Sequence, residues 1–195
     1  VAAVSIPVTV KIRTGWDEAS INAPLITQIA ESAGAKAITV HGRTRVQGYK
    51  GNADWGLIKQ CVDVAKTIKV IGNGDVTSGP LAEQLFTETG CDAILVSRAT
   101  MGTPWIVEDI LRHFEGKSPL IMSHKQIMLD HLGYTKDYED ERGAVIAMRR
   151  VGCWYLRKGK GTKALRETIN RAQSLKEIEK LIANYDWEGV SYDSI

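Results

Sequence analysis

Four short apolar runs constrain this chain more than any other feature of its sequence. Residues 8–12, 37–40, 69–71 and 93–96 are rich in β-branched residues and read as apolar on both faces, as strands do in a parallel sheet covered on both sides. Their centres, Val10, Thr39, Ile71 and Leu95, lie 29, 32 and 24 residues apart. That interval holds a strand, a crossover helix and the return to a parallel neighbour. Helical stripes fill the gaps: Leu25, Ile26, Ile29, Ala30 and Ala33 after Pro24; Leu57, Ile58, Cys61, Val62 and Ala65; and Leu81, Ala82, Leu85 and Phe86 after Ser78-Gly79-Pro80. Four such units make half of a (β/α)8 barrel or one end of an open doubly wound sheet. A whole barrel takes about 250 residues. A half barrel would lack its first strands and leave both outer edges unpaired. The chain opens at Val1, without Met and almost on a strand, which reads as a fragment.

From Pro104 the pattern turns helical. Residues 104–114, 123–132, 141–157, 163–169 and 174–183 are the expected helices, with Ser123 a cap and Ser174-Leu175-Lys176-Glu177 a capping box. The expected division is a half barrel over 1–115, a small all-helical domain over 116–185, and a polar, frayed tail over 186–195.

The charge is unevenly distributed. The formal net charge is +2, yet residues 142–183 hold 11 Lys and Arg against Glu167, Glu177 and Glu179. A segment of +8 is a footprint for a polyanion or a solvated helix face. Cys61, Cys91 and Cys153 lack CxxC spacing, so neither a disulfide framework nor a zinc site is indicated. All three read as buried small hydrophobes in a reducing, cytoplasmic setting. No run of 18 apolar residues and no signal peptide is present, so neither a membrane span nor a membrane partner is expected.

Polar residues break the strand pattern at one end. Lys11 and His41 close the first two strands, where a core would continue apolar, and Arg13, Arg43 and Arg45 cluster at the same edge. The carboxyl edge of a parallel sheet is where βα proteins keep their chemistry. A positive mouth there suits an anionic cofactor or an RNA backbone. The third strand runs into Gly72-Asn73-Gly74-Asp75, whose glycines permit a tight turn and close approach to a ligand. Asp75 reads first as the cap of the next helix. Ser97-Arg98 after the fourth strand offers backbone N–H groups and a forked donor suited to phosphate.

The ordered set Val-Lys-Ile-Arg-Thr-Gly-Trp, Thr-Val-His-Gly-Arg-Thr-Arg, Gly-Asn-Gly-Asp-Val, and Arg98 with Gly102-Thr103-Pro104-Trp105 resembles the tRNA-dihydrouridine synthases. Cys153-Trp154-Tyr155-Leu156 in the basic region is similar to that family's C-terminal tRNA-binding domain. The resemblance implies the C-terminal half of a TIM (β/α)8 barrel followed by a small all-helical domain. It also implies FMN-dependent, NADPH-driven reduction of the C5–C6 bond of uridines in tRNA by an enzyme that is monomeric at full length. Carried over by position, Lys11, His41, Asn73, Gly74, Asp75, Ser97 and Arg98 fall on the cofactor side. Arg13, Arg43, Arg45, Arg149, Arg150 and Arg157 fall on the tRNA side. The family's general-acid Cys in an Asn-x-Gly-Cys-Pro motif has no counterpart here, so no catalytic residue is assigned and the isolated chain is expected to be inactive. The alternatives are an FMN barrel acting on a small molecule, as in dihydroorotate dehydrogenases, and a non-catalytic RNA-binding fragment whose affinity falls with salt.

Overall fold

The computed structural model describes residues 1–188 and 190–192. Contacts divide it into two compact units: Val1–Ala99 with Ile106–Ser118, and Thr100–Trp105 with the residues from Pro119 on.

In the first unit, β1 (Thr9–Arg13), β2 (Ala37–His41), β3 (Lys69–Asn73) and β4 (Ala93–Leu95) pair in that order, all parallel. Helices α1 (Ala23–Ser32), α2 (Trp55–Val64) and α3 (Gly79–Thr89) cross between successive strands, and α4 (Ile106–Phe114) packs beside α3. Right-handed crossovers that always step in one direction place their helices on one face, an arrangement consistent with part of a (β/α)8 barrel. That face is the core. Ile38, Val40 and Val70 are buried with Ala30 of α1, Ile58 and Cys61 of α2 and Leu85 of α3, and Val10, Ile12 and Ile94 pack against them. Full burial of each such Leu or Ile stabilises by about 1.5–3 kcal/mol.

The opposite face departs from the expected apolar pattern. Register places Lys11, Thr39, Ile71 and Ala93 in one row and Arg13, His41, Asn73 and Leu95 in the next. Because side chains alternate between faces, the even-numbered strand residues fill the helix-covered core and the odd-numbered ones carry the polar groups. β4 is also shorter than expected, ending at Leu95.

The helix starts follow local chemistry. Asp54 accepts from Leu57 N–H, and Ser78 accepts from Leu81 N–H. A longer-range clamp joins α1 to the loop before β3. The Glu31 carboxylate accepts from the N–H groups of Lys66, Thr67 and Ile68 and from the Thr67 hydroxyl. Those bonds, the Thr67 and Ile68 N–H groups first, lower its pKa to about 2. The unfolded carboxyl has the higher pKa, so this stabilisation is complete above about pH 4.5 and is lost as pH falls toward about 2. Glu31→Gln is therefore expected to flatten the acid limb of stability below about pH 5. Urea denaturation at a series of pH values checks this; an unchanged limb would remove Glu31 as the clamp.

The second unit holds α5 (His124–Tyr138), α6 (Glu141–Leu156), α7 (Lys163–Arg171) and α8 (Leu175–Asn184) around Met128, Leu132, Met148, Leu156, Ile169, Ile178 and Ile182. Ser123, Asp140 and Ser174 cap α5, α6 and α8 through their side chains. In the last of these the returning Glu177 carboxylate takes the N–H of Gln173. Helix α5 runs six residues past its expected end, because Thr135 continues the buried stripe of Met128 and Leu132.

The expectation of an all-helical unit is corrected by a short antiparallel ladder, β5 (Gly159–Lys160) with β6 (Ser191–Tyr192). In the tail expected over 186–195, Trp187 packs against the second core beside Tyr185, and Trp187 Nε1 donates to Ile182 O at 2.9 Å. Gly189 and residues 193–195 of that expected tail lie outside the described residues. No described helix is long and apolar enough to cross a membrane.

Candidate active site at the carboxyl edge of the sheet

Lys11 and His41 come together at the carboxyl end of the sheet with Asn73. Lys11 Nζ reaches across β2 and donates to Asn73 Oδ1 at 3.2 Å. The partner of this strand-end lysine is therefore an amide, not a carboxylate. Asn73 Nδ2 donates to Leu95 O at 2.8 Å and to Ser97 Oγ at 3.3 Å, which links β3 to the loop after β4. Partial burial of the Lys11 ammonium, with Arg13 beside it, lowers its pKa. Burial, then the charges of Arg13, Lys11, Arg43 and Arg98, push His41 down to about 4. The imidazole is neutral at physiological pH, and the surrounding field is positive.

Gly74 carries φ +131°, and a Cβ there would lie 2.6 Å from the Ala53 Cβ. Trp55 Nε1 fixes the same turn by donating to Gly74 O at 3.1 Å. Asp75 is not a helix cap, since Ser78 takes that position. It sits at φ 59° and bridges two arginines, accepting from Arg43 Nη2 at 2.6 Å and Arg98 Nη2 at 2.9 Å, and also from Ala53 N–H at 2.7 Å. Arg98 also lies 4.4 Å over the Tyr49 ring. Nothing in the local sequence marks Tyr49 as part of this edge. The glycines around it, Gly48 and Gly51, have positive φ and bring the loop back over Arg13 and His41.

Three arginines assigned to the RNA side make inward bonds. Arg43 is 2 % exposed, turned inward by Asp75 and the Gly51 carbonyl. Arg13 donates to Thr44 O and Gly48 O and so holds the loop after β2. In the second unit Arg149 donates through Nε and Nη2 to Ala172 O at the end of α7. Such inward bonds satisfy carbonyls that a sequence leaves invisible. Arg45, Arg150 and Arg157 are exposed. Arg157 lies 5.1 Å over the Trp154 ring, in a cleft of about 380 Å³ lined by Cys153, Trp154, Arg157, Arg166, Glu167 and Asn170. Cys153 is thus half-buried at a cleft, unlike the buried Cys61 and Cys91. Among the described residues no His, Cys, Asp and Glu cluster could hold a metal ion.

The family model for dihydrouridine synthase (Dus) matches residues 1–186. The chain belongs to the dihydrouridine synthase family. A probable tRNA-dihydrouridine synthase of Rickettsia conorii is 40% identical over 190 residues, covering 95% of this chain and 57% of that protein. A tRNA-dihydrouridine synthase B of Pseudomonas putida is 43% identical over 178 residues, with 87% and 51% covered. Probable tRNA-dihydrouridine synthase 1 of a Synechocystis species is 39% identical over 186 residues, with 93% and 52% covered. The chain spans about half the length of the curated dihydrouridine synthases it matches. Among solved structures, a mandelate oxidase mutant with (S)-mandelic acid aligns with 88% of this chain and 54% of that one, at a TM-score of 0.32 and 13% identity.

Proposed function

We propose that this chain is the C-terminal half of a flavin-dependent tRNA-dihydrouridine synthase, holding FMN at the carboxyl edge of the sheet and tRNA on the basic helical unit. The contact between Lys11 and Asn73, set among Arg13, Arg43 and Arg98, carries the reading. These cations outnumber the Asp75 carboxylate that bridges two of them, and such an excess suits a phosphate and an electron-rich ring. Bound there, FMN supplies the redox chemistry that reduces the uridine C5–C6 bond, with NADPH as its reductant. Lys11 favours negative charge beside the ring, because a donor already in place costs no reorganisation. Neutral His41 contributes a hydrogen bond without a second full charge. Asn73 orients Lys11, and Gly74 lets the turn close against Ala53. Arg98 is half-exposed, and a phosphate dianion competes with Asp75 for its fork.

On the tRNA side, Arg45, Arg150 and Arg157 are the accessible candidates, and Trp154 offers an aromatic face for an unstacked base. Arg43 leaves that set, and Arg13 and Arg149 are committed to carbonyls. A cytoplasmic enzyme, monomeric at full length, completes the proposal. Membership of the dihydrouridine synthase family favours it over a barrel acting on a small molecule.

Flavin fluorescence during titration of FMN with this chain tests the site. Quenching is expected, and Lys11→Ala should weaken affinity by about 10–100-fold, the value of a charge-assisted hydrogen bond. Tryptophan fluorescence of the variant shows whether its fold persists. Failure of both this chain and the full-length protein containing it to bind FMN would overturn the cofactor assignment. The isolated chain is expected to form no dihydrouridine, because the family's general-acid motif is not in its sequence.

A further inference from the structure

We propose that Arg43 is a positioning residue that locks the His41 imidazole in a single tautomer, with Nε2 unprotonated and Nδ1 carrying the proton. The inference deepens the assignment of His41 to the cofactor side and rests on it, yet it can be read with no cofactor present. Arg43 is almost fully buried, and its guanidinium is held from two sides: Nη2 donates to Gly51 O at 2.6 Å and to Asp75 Oδ2 at 2.6 Å. With Nη2 fixed, the planar fork leaves Nη1 one direction. It meets His41 Nε2 at 3.5 Å. Arginine offers donors and no acceptor, and it stays protonated at every accessible pH. The nitrogen facing it must therefore supply a lone pair, and the proton of a neutral imidazole must sit on the other nitrogen. Arg43 Nε is buried without a partner among the described residues, so this side chain accepts a cost to stay in place.

The surroundings act in the same direction. Lys11 and Arg13 of β1 and Arg98 after β4 add positive charge around the ring, and Tyr49 stands with its centroid 6.3 Å from it. Asp75 is the carboxylate at this edge that bonds Arg43, and it is divided between Arg43 and Arg98. It therefore holds the arginines and not the imidazole. A second proton on His41 would have to face Arg43 at Nε2. The ring therefore presents one N–H donor, unchanged through the physiological range, to whatever acceptor lies at Nδ1. A flavin or pyrimidine carbonyl or ring nitrogen is the class of group it fits.

Long-range proton–nitrogen correlation spectra of the ¹⁵N-labelled chain read both the tautomer and the titration of His41, whose signals are assigned by their loss in His41→Gln. The expected result is an unprotonated Nε2 and a protonated Nδ1 at neutral pH, with a midpoint near 4. Arg43→Met should populate the Nε2–H tautomer and raise the midpoint, whereas Arg43→Lys, which keeps a charge and a donor, should restore the low midpoint. A wild-type ring protonated at Nε2, a midpoint near the ordinary value of about 6.5, or an unaltered tautomer in Arg43→Met would each overturn the proposal. If Arg43→Met does not fold, the wild-type tautomer and the Lys variant decide. None of these readouts requires FMN or tRNA, so failure of the lock and failure of the flavin assignment are separable.

Discussion

Asp75→Ala is expected to lower the free energy of unfolding by about 2–4 kcal/mol. Removing one partner of a buried ion pair costs roughly 3–5 kcal/mol, because the other charge stays behind unpaired. Arg43 is that partner, at 2% side-chain exposure, while Asp75 is 31% exposed, and water at the carboxylate reduces the effect. The same substitution frees Arg98 from its 2.9 Å bond and removes the acceptor of the Ala53 N–H. A second contribution is conformational. Asp75 has φ 59°, where Ala is disfavoured by about 1–2 kcal/mol and Gly is not. Asp75→Gly should therefore be less damaging than Asp75→Ala, and the difference isolates the backbone cost. Asp75→Asn keeps one acceptor and tolerates the left-handed region, so about 1–2 kcal/mol is expected. Urea denaturation of the three variants gives the ranking Asn, Gly, Ala in order of increasing damage. Variants within about 0.5 kcal/mol of wild type would show that Asp75 does not anchor Arg43.

The carboxylate has a pH signature as well. Burial alone would raise the Asp75 pKa, but hydrogen bonds from Arg43 and the Ala53 N–H, with the charges of Arg43 and Arg98, bring it below its usual value of 3.8. Its stabilisation is present above the unfolded pKa and lost as pH falls through the folded one. The anchoring of Arg43 should loosen in acid before the apolar core does.

The parts of this protein legible in sequence are those set by near neighbours. The four strands announced themselves because β-branched residues recur at a βαβ interval, and Ser78, Ser123 and Ser174 cap helices through N–H groups three residues away. The parts that were not legible depend on distant residues. Asp75 and Arg43 are 32 positions apart, and an Arg in a cluster of Arg looks like solvent until its partner is placed. Arg149 likewise stands in a basic run with no visible partner, because its acceptor, Ala172 O, lies 23 residues on. The segment after Asn184 reads as polar, whereas Tyr185 and Trp187 carry enough apolar surface to pack against the core. At the site, Lys11 and His41 were readable as exceptions to the strand pattern. Their orientation was not, since it comes from Asn73, Arg43 and the loop that carries Tyr49.

The run Gly102-Thr103-Pro104-Trp105 shows how a family motif can hold a fold together through its backbone. Gly102 has φ +82°, and a Cβ there would stand 2.5 Å from Trp154 O and 2.7 Å from its carbonyl carbon. Both obstacles are backbone of α6, so no side chain can turn aside. Gly102→Ala must move the segment off the helix or strain it. A residue forced into the left-handed region costs about 1–3 kcal/mol, and forcing a methyl group into a packed contact costs about 1–3 more. The expected total is about 2–6 kcal/mol, a drop in Tm of about 5–20 °C for a protein of this size. Gly116→Ala supplies the control. It has φ +69° with nothing within 4 Å of its Cβ, so it should show the conformational cost alone, about 1 kcal/mol. Thermal unfolding followed by tryptophan fluorescence reads the pair, because Trp154 reports directly on the contact. Equal losses in the two variants would mean that the close approach to α6 contributes nothing and that the glycine answers only to backbone conformation. A much larger loss for Gly102→Ala would make the segment between β4 and α4 a structural part of the basic unit. The Trp154 cleft on that unit would then owe its shape to the glycine packed against the Trp154 carbonyl.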